Sequence, residues 1–342
     1  MLYRVILEPT APFYIGHNTH ARKSAAIVHS DTLHAALIDV AALIGSPLKD
    51  AAPNLRVSSL FPCWNGLYFY PKPYLPVPQS EQTTQMDGTN VDRKRMKSIR
   101  WVSEKILEAW LTGDPAPFQN HGVLKDIGGE ALALAEEASP RGHLLPQKLV
   151  MRSLAPAVTV DRISSRTTPY ERRGVRVNTR EGVKAYFLAD VPDSLKADFE
   201  NLVDVLGIQG IGGERTIGYG AFHNTEFEPN PPIPWLAPAP GTPPPNLFYT
   251  VSLYLPSLDE VTKGALDEPA AYDCTLREGW IHDIAGTTTF KKSTRMCLEG
   301  GVFRKVADSH GEVRDVRPED FSAHPVWRSG RAFEFFFNRP EN

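Results

Sequence analysis

The segment GIQGIGGERTIGYGAF, residues 207–222, holds the clearest candidate for a binding site. Six glycines fall within its first fourteen residues, and Arg215 stands among them. Because glycine has no Cβ, this backbone can approach another chain closely, and its amides can bind an anion beside a guanidinium. Nucleotide-triphosphate loops precede a helix and contain GK[ST], whereas this segment follows a predicted helix and lacks that sequence. A sugar-phosphate backbone is therefore the favoured ligand, with a tight structural turn as the alternative.

Two basic strips lie elsewhere in the chain, at residues 93–105 and 160–184. Both are net positive although the whole chain has a formal charge of −3, which argues against a protein that coats duplex nucleic acid by bulk charge. Arginine dominates the second strip, and its planar guanidinium can hold phosphate bidentately and stack on bases. A charge run alone is usually a solvated face, but together with the glycine-rich segment these strips favour single-stranded RNA as the ligand.

Histidines are the candidates for catalysis. His29 and His34 flank the start of a predicted helix, and His17 and His20 lie just upstream, so a metal-free ribonuclease with histidine as general acid or base is the catalytic alternative. The sequence contains no HExxH, GxSxG or EF-hand pattern. We therefore predict that the protein is not an enzyme and has no catalytic residues, no metal site and no cofactor.

Composition places the chain among ordinary soluble proteins. Its 342 residues are enough for about two domains, and its hydrophobic and charged fractions of 42% and 23% allow packed cores. Cys63, Cys274 and Cys297 have no CxxC spacing, which predicts neither a disulfide framework nor a zinc site. No run approaches 18 apolar residues. We therefore expect a cytoplasmic protein with no membrane partner.

A proline-rich segment divides the chain into two predicted lobes. Nine prolines fall between Pro229 and Pro245, and proline favours extended, semi-rigid backbone. Residues 229–245 are therefore predicted to be a linker between an N-terminal lobe, residues 1–228, and a C-terminal lobe, residues 246–342.

The N-terminal lobe is predicted to run strand, helix, strands, helix, strand, which is the order of a ferredoxin-like βαββαβ unit with an antiparallel sheet. The C-terminal lobe begins and ends with strand-like segments and is predicted to be a second copy, so the fold class is α+β. The predicted elements of the first lobe are a strand at 2–8, a helix beginning at an N-cap Ser30 and ending at Gly45, a strand at 67–71, a helical segment at about 99–111, strands around an arginine-rich hairpin at 158–189, a helix capped by Ser194 and a strand at 219–227. Residues 79–150 and 158–189 are predicted to be insertions into the ferredoxin-like unit.

Several of these segments together carry a resemblance to a known family. They are HSDTL at 29–33, FPCWNGLYFYPKPYLP at 61–76, RKRMKSIRWVS at 93–103 and GGERTIGYGAF at 212–222, followed more weakly by GWIHD at 279–283, KKSTRMCLEGGVF at 291–303 and HPVWRSGRAFEFFF at 324–337. The sequence resembles the RAMP superfamily of CRISPR effector proteins, and within it the family of the fourth Csm subunit of type III-A complexes.

The resemblance implies two ferredoxin-like (RRM-like) lobes, a glycine-rich loop, and an inserted hairpin that acts as a thumb. It also implies a noncatalytic subunit of an antiviral Csm complex that caps the 5′ handle of the crRNA. Its partners would be the crRNA, the large signature subunit and the adjacent backbone RAMP subunit. The residues that the resemblance places on the RNA are His29, Ser30, Thr32, Arg162, Arg166, Arg172, Arg173, Arg176, Gly210, Ile211, Gly212, Gly213, Arg215 and Tyr219.

Two other functions remain open at this point. A RAMP endoribonuclease that processes precursor crRNA would share the glycine-rich loop but would need a general acid-base residue, for which His29 is the candidate. A general single-strand binder would show no preference for the handle.

Overall fold

The structure is a computed structural model, which describes residues 1–15, 26–79, 95–119, 123–138, 144–236, 243–282 and 288–339. These residues form a mixed α+β fold in which most strand pairs are antiparallel. The α-helices whose first and last residues are both described are α1 (Ser30–Ile44), α2 (Glu104–Thr112), α3 (Ala116–Gln119), α4 (Ala135–Ala138), α5 (Lys196–Gln209) and α6 (Leu258–Thr262). None of the helices in these ranges is long and apolar enough to span a membrane.

The strands divide between one large sheet and several small ones. Those before the proline-rich segment are β1 (Leu2–Pro9), β2 (Arg56–Val57), β3 (Phe61–Trp64), β4 (Leu67–Pro71), β5 (Trp101–Ser103), β6 (Leu124–Ile127), β7 (Ala131–Leu134), β8 (Val150–Val160), β9 (Thr167–Val177), β10 (Val183–Asp190) and β11 (Phe222–Pro229). Those after it are β12 (Leu247–Thr250), β13 (Cys274–Arg277), β14 (Trp280–His282), β15 (Thr288–Phe290), β16 (Thr294–Cys297), β17 (Val302–Arg304), β18 (Val313–Asp315), β19 (Trp327–Ser329) and β20 (Glu334–Phe337).

The large sheet has nine strands in the order β11-β1-β10-β3-β4-β5-β7-β6, with β2 paired to β10. Its pairs are antiparallel except for β5 with β7. In β1, Tyr3, Val5 and Leu7 alternate and are fully buried, which is the pattern of a strand with one face in a core. The apolar sides of α1 and α5 pack in that core, where the ring of Phe199 lies 5.7 Å from the ring of Tyr3.

Most elements predicted for the N-terminal lobe are present, with some ends displaced. The predicted helical segment at about 99–111 is an exception, because residues Trp101–Ser103 form strand β5 and the helix α2 begins at Glu104. The strand at 67–71 is β4, and α1 ends at Gly45, whose φ of +72° favours glycine. The N-cap of α1 is His29 rather than Ser30, because the Ser30 hydroxyl accepts a hydrogen bond from the Leu253 amide in the other lobe. The second predicted helix, α5, starts at Lys196 after a 3₁₀ turn instead of at a Ser194 cap.

The arginine-rich hairpin is formed by β8 and β9, and β8 begins at Val150, eight residues before the predicted strand. The two strands pair continuously from Val150 opposite Val177 to Val160 opposite Thr167. All residues from 158 to 171 are exposed, so this end of the hairpin projects from the body. At the turn, the Asp161 carboxylate accepts a hydrogen bond of 2.8 Å from the amide of Ile163.

The described part of the C-terminal lobe differs from a second βαββαβ unit. It has a three-stranded antiparallel sheet in the order β17-β12-β20, three strand pairs, and a single α-helix, α6, of five residues. Gly264, Pro269 and Gly279 interrupt the chain after α6, so no second apolar helical stripe develops there.

The two lobes share one hydrophobic core. The ring of Tyr70 in β4 lies 5.7 Å from that of Phe335 in β20, and Tyr186 and Tyr249 are buried in the same cluster. Trp235, from the proline-rich segment, packs 5.6 Å from Phe335 and is 7% exposed. That part of the predicted linker is therefore packed between the lobes rather than solvated.

Candidate nucleic-acid interface

One short segment, residues 10–14, joins the glycine-rich loop to the base of the arginine-rich hairpin. On one side, Phe13 exchanges two backbone hydrogen bonds of 2.8 Å with Val175 of β9. On the other, the amide of Gly213 donates to the Tyr14 carbonyl at 2.9 Å, and the amide of Gly220 donates to the Pro12 carbonyl at 2.8 Å. The structure thus brings together two features that are separated in the sequence by the 29 residues 178–206.

The glycines of the loop make this close packing possible. A Cβ on Gly212, whose φ is +95°, would collide with the Tyr14 carbonyl oxygen, and one on Gly220 would collide with Ile211. A Cβ on Gly210 would lie 2.5 Å from the Tyr219 carbonyl oxygen. The close approach predicted from the sequence therefore occurs within this chain, and the structural alternative accounts for these glycines.

Gly218 is the exception within the loop. Its φ is +88°, yet nothing lies within 4 Å of the position that a Cβ would take. The neighbouring Ile217 is half exposed, which leaves this end of the loop accessible to another molecule. Ile211 and Tyr219 are buried, so only their backbone groups could contact a ligand.

Two surface ion pairs connect the loop to its neighbours. Arg215 Nη1 lies 3.1 Å from Asp39 Oδ2 on α1. Glu214 has a φ of +60°, and its Oε2 atom lies 3.4 Å from Nε of Arg172 on β9. Arg172 and Arg215 are both partly exposed, so each guanidinium retains N–H groups that can turn toward a phosphate.

The five predicted arginines of the hairpin do not share one face. Residues directly opposite in an antiparallel pair lie on the same face, so Arg176 beside Met151 and Arg172 beside Ala155 lie on one side. Arg173 lies on the other side, beside Leu154, and Arg162 and Arg166 lie at the exposed turn. The base of the hairpin therefore presents Arg172 and Arg176 on the face that meets residues 10–14.

Three cations of the first basic strip, Arg95, Arg100 and Lys105, contact other groups of the protein. Arg95 Nε lies 3.0 Å from Asp126 Oδ2, and Lys105 forms an ion pair with Glu136. The Arg100 guanidinium lies 4.3 Å from the centre of the Trp101 ring. Residues 93 and 94 lie outside the described part of the chain, and these internal contacts do not favour a ligand-binding role for Arg95, Arg100 and Lys105.

The start of α1 is buried against the C-terminal lobe. His29 Nδ1 lies 2.7 Å from Glu299 Oε1, and the Ser30 amide donates to Ser59 Oγ at 2.8 Å. His29 and Ser30 are 8% and 3% exposed. This placement does not favour the prediction that their side chains contact RNA, because both already bind groups inside the protein. Thr32, which is partly exposed, accepts a hydrogen bond from Arg277.

A buried ion pair that the sequence did not indicate lies next to these residues. Arg277 of β13 donates to both carboxylate oxygens of Asp31, at 2.9 and 2.8 Å, and Arg328 Nε lies 3.8 Å from the same carboxylate. Burial raises the pKa of Asp31, but the charges and hydrogen bonds of the guanidiniums outweigh burial and hold the pKa well below its usual range. The residue pair is 246 positions apart, so no local pattern could have shown it.

The remaining candidate groups for chemistry are buried or partly buried where the structure describes them. His34 is fully buried with Nε2 2.8 Å from the Ala52 carbonyl oxygen, and burial lowers its pKa. His17 and His20 lie outside the described residues. Cys274 and Cys297 are free thiols opposite each other on β13 and β16, with their Sγ atoms 3.9 Å apart. Within the described ranges no cluster of three His, Cys, Asp or Glu side chains could hold a metal ion.

Comparison with known proteins connects this architecture to one family. Residues 245–336 match the CRISPR Csm4 C-terminal domain. The CRISPR system Cms protein Csm4 of Methanocaldococcus jannaschii is 24% identical over 348 residues, which cover 92% of this chain and 89% of that protein. The protein of the same name from Mycobacterium tuberculosis is 24% identical over 332 residues, 94% of each chain.

The fold agrees with these matches. A chain of the Csm3-Csm4 subcomplex of the type III-A CRISPR-Cas interference complex superposes with a TM-score of 0.67 at 18% identity, over 98% of this chain and 99% of that one. The chain is thus similar to Csm4 proteins over nearly its whole length, and its C-terminal part matches the Csm4 C-terminal domain. A chain of a Csm1-Csm4 cassette in complex with cA4 shares the fold less closely, with a TM-score of 0.54 at 18% identity over 100% and 99% of the two chains.

We expect Asp31→Asn to destabilise the protein by about 3–5 kcal/mol, because it leaves two buried guanidiniums without their counter-charge. The measurement is urea unfolding at pH 7. Because the folded pKa of Asp31 lies below the unfolded value of about 3.9, its contribution is present above that value and is lost as pH falls below it. Asp31→Asn should therefore flatten the acid limb of the stability profile. A change below about 1 kcal/mol would contradict a structural role for the pair.

The glycine-rich loop offers a matched pair of substitutions. Gly218→Ala should lower the free energy of unfolding by about 1 kcal/mol, because its Cβ meets open space and only the positive φ is unfavourable. Gly220→Ala should cost about 3 kcal/mol or more, since its Cβ also collides with Ile211. Thermal unfolding of both variants gives the comparison. Equal losses would show that the loop relaxes freely and is not fixed by residues 10–14.

Proposed function

We propose that this protein is a noncatalytic RNA-binding subunit of a type III-A Csm interference complex, in which it caps the 5′ handle of the crRNA. The observation that carries the proposal is the joining of the arginine-rich hairpin and the glycine-rich loop through residues 10–14. The Csm4 relatives and the fold shared with Csm4 chains support it. Structures of Csm4 with Csm3 and with Csm1 support the partners, a backbone RAMP subunit and the large subunit.

The order of the central strands supports a ferredoxin-like N-terminal lobe. β11, β1, β10 and β3 are adjacent and antiparallel, and α1 and α5 follow β1 and β10 in the chain and pack in the core on one face of the sheet. In this arrangement the β8–β9 hairpin is the thumb, inserted between the second and third strands of the unit. The thumb carries six arginines against one aspartate and one glutamate, so its field attracts a phosphate backbone.

The contacts on the RNA are expected from exposed cations and from the open end of the glycine-rich loop. Arg172, Arg176 and Arg215 surround the junction of hairpin and loop, while Arg162 and Arg166 extend the positive surface along the projecting turn. Gly218 lies beside Arg215 with no side chain to obstruct a backbone. A single strand that crosses the junction would meet cations from two separate parts of the chain.

The alternative of a crRNA-processing endoribonuclease receives no support from the placement of its candidate base. His29 is buried, and its Nδ1 lies against the Glu299 carboxylate, which also accepts a hydrogen bond from Ser59. A general acid-base residue must reach the proton that it transfers, within about 3 Å or through one water. An RNA bound at the junction of hairpin and loop would not reach an imidazole held inside the protein.

The proposed function predicts that purified full-length protein binds repeat-derived RNA in preference to a scrambled RNA of equal length and leaves both intact. The measurement combines fluorescence anisotropy with gel analysis of labelled RNA after incubation without metal. Equal affinity for both RNAs would indicate a general single-strand binder. Metal-independent cleavage that disappears in His29→Ala would establish the endoribonuclease instead.

A salt titration tests the contacts at the hairpin base. In Arg172→Ala with Arg176→Ala, each lost phosphate contact should reduce the slope of log K against log salt by about 0.7, the single-strand value. Arg314→Ala with Arg317→Ala is the matched control, because both arginines pair with carboxylates within the C-terminal lobe. Equal slopes for the two double variants would mean that the hairpin base is an ordinary charged surface.

A further inference from the structure

Two thiols of the C-terminal lobe face each other across a strand pair and have no role in the site described so far. Cys274 is the first residue of β13 and Cys297 the last of β16, and the antiparallel register places them directly opposite each other. Side chains at directly opposite positions lie on the same face of a sheet. Both residues are free thiols, and their Sγ atoms are 3.9 Å apart. The fold therefore brings together two sulfur atoms that residues 275–296 separate in the sequence.

The backbone hydrogen bonds around the two cysteines define the geometry of their pair. The amide of Cys297 donates to the Tyr254 carbonyl at 2.8 Å, and its carbonyl accepts from the Tyr254 amide at 3.0 Å, so both backbone groups point away from β13. The next bond between β13 and β16 runs from the Leu298 amide to the Asp273 carbonyl, at 2.9 Å. Cys274 and Cys297 are therefore a non-hydrogen-bonded pair, whose Cα atoms are typically about 4.5 Å apart. That separation lies within the range of about 4.4–6.8 Å found in disulfides, so rotation of the side chains is sufficient to bring the sulfur atoms together.

The two thiols differ in their access to solvent. Cys274 is partly exposed, whereas Cys297 is 3% exposed and packs in a small hydrophobic core. The hydrogen bond from the Cys297 thiol and the charge of Arg295 lower the pKa of Cys274, although burial and the charge of Asp273 oppose them. Because the thiolate is the nucleophilic form of cysteine, a reagent from solvent meets the more reactive sulfur first, with the second sulfur directly behind it.

We propose that Cys274 and Cys297 are a redox-modification site that forms a reversible disulfide by exchange with a small-molecule disulfide. The Cys274 thiolate attacks one sulfur of the small molecule, whose S–S bond breaks and releases one thiolate, leaving a mixed disulfide on Cys274. Cys297 then loses its proton and attacks Cys274 Sγ, which displaces the second thiolate. In sum the protein gives up two electrons and two protons, and the small-molecule disulfide is reduced to two thiols.

The disulfide would act on the contact between the lobes, because β13 supplies a residue to that contact. Arg277, the last residue of β13, donates to both carboxylate oxygens of the buried Asp31 on α1. Among the described residues, β16 is the only strand paired with β13. A bond between Cys274 and Cys297 closes the loop of residues 274–297 and removes conformations in which β13 has separated from β16. Oxidation therefore stabilises the strand that holds Arg277 in place against the N-terminal lobe.

The test treats reduced, full-length protein with oxidised glutathione, blocks the remaining thiols by alkylation and maps the peptides by mass spectrometry. The wild type should yield a peptide pair that joins Cys274 to Cys297 and is separated by dithiothreitol. Cys297→Ala should instead retain glutathione on Cys274, because no second thiol displaces it, and Cys274→Ala should retain none on Cys297. Cys63→Ala is the matched control, since it also removes a buried free thiol and should form the same disulfide as the wild type.

Thermal unfolding of the same samples measures the effect on stability. Oxidation should raise the unfolding midpoint of the wild type and of Cys63→Ala by about 5 °C and leave that of Cys297→Ala unchanged, because a mixed disulfide closes no loop. Circular dichroism verifies that each variant is folded before treatment. A folded wild type that forms no bond between Cys274 and Cys297, or that pairs either of them with Cys63, refutes the site, and a disulfide that leaves the midpoint unchanged refutes its effect on β13. No RNA enters these measurements, so either result leaves the proposed function untouched.

Discussion

The pairing of Asp31 with Arg277 is the constraint on which the relation of the two lobes depends. Each charge is almost fully removed from water, and an isolated buried charge is far more costly than a paired one. Asp31 lies in the first turn of α1, where the helix dipole also favours a carboxylate, and Arg277 comes from the C-terminal lobe. The lobes therefore cannot separate or rotate without exposing the shared core and leaving the pair unmatched.

The position of α1 in turn fixes the surface that we assign to RNA. Arg215 reaches Asp39 near the middle of that helix, so the glycine-rich loop is held to α1 on one side and to residues 10–14 on the other. Gly174 of β9 packs against the same segment, with its Cβ position 3.0 Å from Pro12 and 3.3 Å from the ring of Tyr219. Hairpin, loop and helix are thus mutually positioned before any ligand binds, which lowers the entropic cost of binding.

Local patterns in the sequence predicted those elements whose formation depends on neighbouring residues. Alternation predicted β1, and apolar spacing with Gly45 predicted the end of α1. The cap at His29, the burial of Trp235 in a proline-rich segment and the pairing of Arg277 with Asp31 were not predicted, because each depends on a partner far away in the chain. The glycine-rich loop was predicted to allow close backbone approach, because that property depends on the glycines themselves. Its contact with residues 10–14 was not predicted, because that segment is far away in the chain.

The hairpin should hold RNA more firmly at its base than at its tip. A two-stranded hairpin is marginally stable by itself, and this one is attached to the body through Val175 and the packing of Gly174. Arg172 and Arg176 lie near that attachment, whereas Arg162 and Arg166 lie at the far turn, where every residue is exposed. Ordering the tip on a ligand therefore loses more conformational entropy for each phosphate contact than ordering the base. If the hairpin binds RNA as proposed, we expect the arginines at the base to set the affinity and those at the tip to act mainly through long-range attraction, which salt screens over about 10 Å.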